Sequence, residues 1–371
     1  MSTDKTDSSA DRARTAPAPD DARKPDSPTE VSKQSWAFIG KKTLREFTKD
    51  QCPDLAAGLT YYAVLAVFPA LLALISLLGI VGEAEKTTAA ALEIVQKIAP
   101  GSTVEMIRGP LTALTHSSAA GFALISGIVV ALWSASGYVG AFGRGMNRIY
   151  EIDEGRPFWK LRPTMLAVTA LAIVLVALMG LMLVLSGPVA QAVGDAIGLG
   201  SAAVLVWNIV KWPVLVFLVI VVIAILYYAT PNVKQPKFRW MSLGSLISLI
   251  IFVLASLGFA FYVANFSHYD KTYGTIGGVI VALLWLWILN MSLLFGAEFD
   301  AEVERGRELQ AGIAAEESIQ LPPRDTRQSE KREEKIADDV AQGRALRRSQ
   351  PQQKQEGANR KGADHGGRKN G

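Results

Sequence analysis

A single cysteine, Cys52, occurs in 371 residues. One thiol makes no disulfide within the chain and no cysteine-based metal cluster. Three histidines, at 116, 268 and 365, stand far apart, and none has a partner at metal-ligand spacing. No glycine-rich phosphate loop with its Lys-Ser/Thr ending occurs, which argues against ATP hydrolysis. No Gly-x-Ser-x-Gly nucleophile elbow occurs either. Charged residues are scarce, at 19%, against about 25% in soluble domains. The apolar stretches carry no series of acids of the kind that marks a proton-driven pump. Large apolar residues are missing from the ends. Residues 1–30 contain no Ile, Leu, Phe, Trp or Tyr, and residues 321–371 contain only Leu321, Ile336 and Leu346.

What is present lies between. Half the residues are apolar, concentrated from about 36 to 300. A bilayer core of about 30 Å needs about 20 helical residues. Six segments reach that length: about 55–81, 121–141, 163–186, 204–229, 240–263 and 275–297. The fold class that follows is an all-α integral membrane protein, a bundle of about six transmembrane helices. The third segment has no charge at all. The second is rich in Gly and Ser, which suits close helix packing.

The connections set the orientation. Lys and Arg number thirteen on one side (31–54, 142–162, 230–239) and four on the other (82–120, 187–203, 264–274). The richer side is read as cytoplasmic. Both termini then lie in the cytoplasm, and the location is a bacterial plasma (inner) membrane. The first apolar run starts near Leu55, too late for a cleaved signal, and is expected to act as an uncleaved anchor. Residues 1–35 read as a disordered tail and 301–371 as a disordered, charged tail, with helix from about 327 to 348 as an option. Truncating residues 1–30 and 321–371 is expected to cost the core almost nothing. Residues 36–52 mix Trp36, Ile39, Leu44 and Phe47 with Lys41, Lys42, Arg45 and Lys49. Two readings stay open: a basic amphipathic helix on the membrane surface, or an extension of the first span. Residues 82–120 show two amphipathic stripes and predict short helices in the first outer loop.

Several residues are candidates for binding. Tyr61 and Tyr62 precede Pro69, which kinks the first span or packs harmlessly within it. Trp133 and Ser134 sit in the second span, which runs on into Arg144, Asn147 and Arg148. Two arginines one turn apart suit a lipid phosphate or an acidic substrate, though ordinary flanking positive charge is the simpler explanation. Tyr273 precedes the sixth span. Asn290 is the most polar side chain deep in any span, so it should meet another helix or a cavity. Small residues four apart, Gly127, Ala131 and Ala135, and Gly274 with Gly278, are candidates for helix packing. On a straight helix the Gly274/Gly278 pair points nearly opposite Asn290. The sixth span should therefore be buried on two sides.

The same residues, in order, resemble the YihY/virulence factor BrkB family, long labelled ribonuclease BN-like. They are Leu59-Thr60-Tyr61-Tyr62 with Phe68-Pro69, then Trp133-Ser134, then Asn147 to Tyr150 with Phe158-Trp159. Tyr227-Tyr228 to Pro231-Asn232 follows, then Tyr273-Gly274, Leu284-Trp285-Leu286 and Gly296-Ala297-Glu298. The match runs over about 40–300. The resemblance implies a six-span inner-membrane protein and no established reaction. Metal-dependent RNA hydrolysis needs clustered His, Asp or Glu ligands, and the acids here lie in tails and loops.

The reading is a non-enzymatic membrane protein that transports or handles a lipid or other amphiphile. An envelope scaffold is the alternative. No cofactor or metal is called for. The expected partners are membrane lipids, with self-association and protein partners for the tails left open. The net charge of +4 is not gathered into one basic patch, so nucleic acid is not expected.

Overall fold

Apolar runs this long leave helix as the structure that satisfies every backbone group inside a bilayer. A computed structural model describes residues 8–81, 120–184, 201–236, 238–266 and 275–366. Among these there is no strand, only an isolated bridge between Val233 and Pro323. Short helices come first: α1 (Ser9–Thr15), a 3-10 turn (Pro28–Glu30) and α2 (Lys33–Lys49). Six long helices follow: α3 (Cys52–Val81), α4 (Ala120–Ile149), α5 (Phe158–Val184), α6 (Ser201–Ala229), α7 (Phe238–Phe266) and α8 (Thr275–Gln310). A polar helix, α9 (Arg327–Gly366), ends the described chain. Each expected span falls on one long helix. Four of them, α5 to α8, are long and apolar enough to cross a membrane. The expected helices of the first outer loop, at 82–119, lie outside the described residues.

Each long helix packs on the next, and α8 returns to α3. Among the described residues, the largest core cluster lies at one end. It takes Cys52, Ala56 and Leu59 from the start of α3, Phe142, Met146 and Ile149 from the end of α4, and Met165 from early α5. Ile223 and Tyr227 come from the end of α6, and Leu294, Ala297 and Ala301 from the second half of α8. The other halves expose large apolar side chains, among them Val129 and Val130, Leu181, Leu205, Leu257 and Val279. Both tails gather at the packed end.

The closest crossing is between α7 and α8. A Cβ built on Gly296 would meet the Gly244 carbonyl, Ser248 Cβ at 2.6 Å and Tyr227 Oη at 2.6 Å. A Cβ on Gly244 would meet the Gly296 carbonyl and the Asp300 carboxyl. Two backbones approach this closely only where neither residue has a side chain. The predicted pair does not do this work. Gly278 has open space around its Cβ position, and Gly274 lies outside the described residues. Among the described residues Gly278 is exposed while its neighbour Gly277 is buried.

The tails are the main departure from expectation. Residues 8–35 and 301–326 are packed. The last turns of α8 run on beyond the apolar stretch, and α2 lies antiparallel along them. Trp36 stacks on Phe299 at 6.2 Å, Phe47 meets Phe295 at 5.4 Å, and Ile39 fills a notch at Gly306. α2 is a helix of its own, set off from α3 by a turn at Gln51 with φ of 56°. Lys24 is enclosed, 2.7 Å from Glu304 and 3.2 Å from Glu308. Arg307 donates to Glu304 and to the Pro25 carbonyl. Arg12 donates to the carbonyls of Ile319 and Glu151. Arg305 pairs with Glu302 at 3.0 Å and reaches Glu151 at 3.2 Å. Composition misled here because the tail buries charges rather than apolar surface. Charges enter a protein interior when they are paired. Ile319 and Leu321 join the main core, and the Lys234 and Arg324 amides bond to the Pro322 and Asn232 carbonyls. α9 differs: its side chains from Glu330 to Arg348 are exposed.

Candidate functional site

Polar groups inside an apolar bundle must find partners, so their bonds locate the places the chain cannot treat as plain packing. Asn290, on α8, is 1% exposed. Its Oδ1 accepts from the Tyr138 hydroxyl of α4 at 2.8 Å, and its Nδ2 donates to Thr60 Oγ1 of α3 at 3.1 Å. Thr60 in turn donates to the Ala56 carbonyl. Asn290 thus faces helices, as its isolation in the sequence required. The three groups tie α3, α4 and α8 together. Beyond Asn290 toward the start of α8, Leu283, Leu284 and Trp285 are exposed. The polar triad therefore lies where the buried stretch of α8 gives way to exposed apolar side chains.

The outer face of the same α3–α4 pair carries most of the other candidates. Trp133, Gly137, Gly140, Arg144 and Arg148 recur every three or four residues along α4. From Trp133 to Arg144 is eleven residues, and at about 100° each they return to within about 20° of one face. Gly137 and Gly140 leave that face without side chains. The Tyr62 ring of α3 lies in this gap, 3.6 Å from a Cβ built on Gly137. Tyr61, itself exposed, stands edge-on to Tyr62 at 5.7 Å. The Arg144 guanidinium lies 5.7 Å from the Tyr62 ring centre and donates to its hydroxyl at 3.4 Å. Arg148 donates to Gln51 Oε1 at 3.0 Å. Gln51 is the turn between α2 and α3, with φ of 56°. Trp133 carries the Arg162 guanidinium of α5 over its ring at 3.8 Å.

Other candidates play different parts. Asn147 is a loop pin: its Nδ2 donates to Glu154 at 3.0 Å, and its Oδ1 accepts from the Asn232 amide at 2.7 Å. Ser134 and Ala135 are half-buried. Tyr273 lies outside the described residues, and so do the side chains of Pro69, Gly127 and Ala131. Sequence reasoning passed over Thr60 and Tyr138 as Asn290's partners, and over Gly137, Gly140 and Arg162. The i, i+3, i+4 recurrence of Trp, Gly, Gly and Arg on α4 was the signal that could have found the stripe.

The acidic side of this end is held in check by burial. Burial pushes the Asp50 carboxyl, at the end of α2, up to about 6, helped by the charges of Glu46 and Glu151. At Glu46 burial acts the same way, but bonds from Lys42 and Lys49 outweigh it and hold the carboxyl below the usual range. Folding therefore favours neutral Asp50. Its contribution to stability is fully present below the unfolded value near 4 and is lost as pH rises through 6. Asp50→Asn should stabilise the protein above pH 6, and that advantage should shrink between pH 6 and 4. Unfolding midpoints of the two proteins at pH 8, 6 and 4 check this; a difference independent of pH would contradict it.

The family model for virulence factor BrkB matches residues 43–319. The chain belongs to that family. Among its relatives is the ribonuclease-like protein YfkH of Bacillus subtilis (strain 168), 29% identical over 270 residues, covering 72% of this chain and 96% of that one. A UPF0761 membrane protein of Alkalilimnicola ehrlichii is 29% identical over 256 residues, covering 68% of this chain and 55% of that one. Another, of Methylibium petroleiphilum, is 27% identical over 273 residues, with 71% and 62% covered. The chain thus spans only part of the length of these two UPF0761 relatives. No solved structure matches. The BrkB match takes in α3 to α8, the last turns of α2 and the segment to Ile319, and so covers every contact of the Asn290 triad and the α4 stripe.

Proposed function

We propose that this membrane protein of the BrkB family holds and moves a lipid or other amphiphile in a bacterial plasma membrane, with both termini in the cytoplasm. One observation carries the reading. Among the described residues the main core cluster lies at one end, large apolar side chains are exposed over much of the other half, and the Asn290–Tyr138–Thr60 triad lies between them. An apolar surface with a small polar cluster at its edge suits a molecule with acyl chains and a polar end. The excess of Lys and Arg in the connections at the tail end supports a cytoplasmic placement.

Asn290→Leu tests it. The side chains are similar in size, and the change removes the acceptor of the Tyr138 hydroxyl while Thr60 keeps its bond to the Ala56 carbonyl, at a cost of about 1–3 kcal/mol. The variant should stay monodisperse after extraction. In native mass spectrometry it should retain several-fold less co-purified lipid than the parent. Equal lipid retention by a folded variant would remove the triad from the site.

The scaffold reading keeps one specific support. α9 runs for 40 residues and leaves Ile336, Val340 and Leu346 exposed, as an arm that docks a protein partner would. Enzymatic activity has less. YfkH carries the ribonuclease-like description, but among the described residues no group of three or more His, Cys, Asp or Glu is placed to hold a metal.

A further inference from the structure

The direction in which Arg144 points is the feature that flanking charge does not explain. It sits near the end of α4 that joins the packed core, a turn before Arg148. A cation at a membrane boundary ordinarily snorkels, bending its charged end toward water. On α4 the Cα–Cβ bonds tilt toward the helix start, away from the tail end. Arg144 follows that tilt. Its Nη1 lies 3.9 Å from a Cβ built on Gly140, one turn nearer the apolar half, and its Nη2 reaches Tyr62. The side chain is exposed on the outer face of the bundle, where a bilayer lies. Its hydrogen-bond partner among the described residues is a neutral phenol.

A cation so placed suits an anion, and among the described residues Arg144 makes no ion pair. Glu298 is buried within the bundle beside Cys52, and Asp300 accepts from the Gly244 amide. Asp50 lies nearer Arg148 than Arg144 in its effects, because its carboxyl feels the Arg148 charge. The space beside Arg144 is meanwhile kept open by Gly140 and floored by Gly137. A tyrosine hydroxyl that accepts from Arg144 still has its own proton to donate.

We infer that the α3–α4 face binds the phosphate of an anionic membrane lipid, with Arg144 as its charge partner and the Tyr62 hydroxyl donating a hydrogen bond. Arg148, one turn below and held by Gln51, adds a second positive charge on the same face. Tyr61 and Trp133 flank the position on its apolar side, where the glycerol and upper acyl carbons of such a lipid would lie. This rests on the amphiphile reading and names the ligand class for it. Trp133 is in turn fixed by Arg162, whose guanidinium covers one face of the indole.

The test is native mass spectrometry of the full chain in detergent, titrated separately with dioleoylphosphatidylglycerol, dioleoylphosphatidylcholine and inorganic phosphate. A charge-assisted hydrogen bond contributes about 1.5–3 kcal/mol, and 1.4 kcal/mol is tenfold in affinity. The parent should bind the anionic lipid about tenfold or more tightly than the zwitterionic one. Arg144→Gln should erase that preference, and Tyr62→Phe, which keeps the ring, should reduce it. Both variants should match the parent in monodispersity. Equal binding of the two lipids by the parent, or an undiminished preference in folded Arg144→Gln, overturns the headgroup site and leaves the amphiphile reading standing. Phosphate that displaces the lipid at comparable concentration assigns the site to the free ion and overturns the lipid proposal. A parent that retains neither lipid overturns both.

Discussion

Gly296→Leu should yield no folded protein. A Cβ at this position would meet the Gly244 carbonyl of α7, a backbone atom that cannot rotate aside, and both Ser248 Cβ and Tyr227 Oη at 2.6 Å. Tyr227 is itself held, donating to the Leu293 carbonyl at 2.5 Å. Relief requires α7 and α8 to separate. Separation would pull Asp300 from the Gly244 amide, a bond of 2.7 Å, and open the core around Leu294 and Ala297. Overpacking of a close-packed interior typically costs about 1–3 kcal/mol, and a backbone clash at a helix crossing costs more. Even Gly296→Ala should lower the stable yield sharply. Gly278→Leu, by contrast, should be tolerated, since nothing lies within 4 Å of that position. Size-exclusion profiles of the three variants in mild detergent make the comparison. A Gly296→Leu protein that elutes like the parent would show that the crossing is looser than described.

Lys24→Met should destabilise the protein by about 3–5 kcal/mol, the usual cost of leaving a buried charge without its partner. Lys24 lies between Glu304 and Glu308, and all three side chains are within 3% of full burial. Its removal leaves two carboxylates enclosed, with Arg307 able to answer only one of them. Deleting residues 1–31 should do at least as much harm, because Arg12 leaves as well. The triple change Lys24→Met, Glu304→Gln, Glu308→Gln should recover most of the loss, since it removes the charges together. Thermal unfolding followed by tryptophan fluorescence reads all of these. An unchanged midpoint for Lys24→Met would return residues 8–31 to the status of a loose tail.

These two results bear on what the chain discloses before it folds. Six runs of 20 or more apolar residues are legible because a bilayer demands that length and little else. Asn290 was legible for the same reason: one amide in an apolar helix must be satisfied. Its partners were not, since Thr60 and Tyr138 lie in other helices and look ordinary in place. Glycine spacing nominated Gly274 and Gly278, yet the close crossing uses Gly244 and Gly296, one from each of two helices. Periodicity within one helix cannot say which glycine meets a neighbour. The tails were misread for a different reason. Apolar content measures only the burial that apolar surface drives, and the packed tail residues enter through charge pairs with partners about 280 positions away, as Lys24 does with Glu304. The glycine stripe of α4 was visible in spacing, but its meaning came from the Tyr62 ring that fills it.

The most direct test of the account is photo-cross-linking in the bilayer. A phospholipid with a photoreactive group near its headgroup would be incorporated into nanodiscs with the intact chain, irradiated, and the labelled peptides mapped. Labels should concentrate around residues 61–62, 133–144 and 283–290, on the face shared by α3 and α4 and beside Asn290. Labels spread evenly over the exposed apolar surfaces of α5, α6 and α7 would contradict it, because the protein would then meet lipid only as any membrane bundle does.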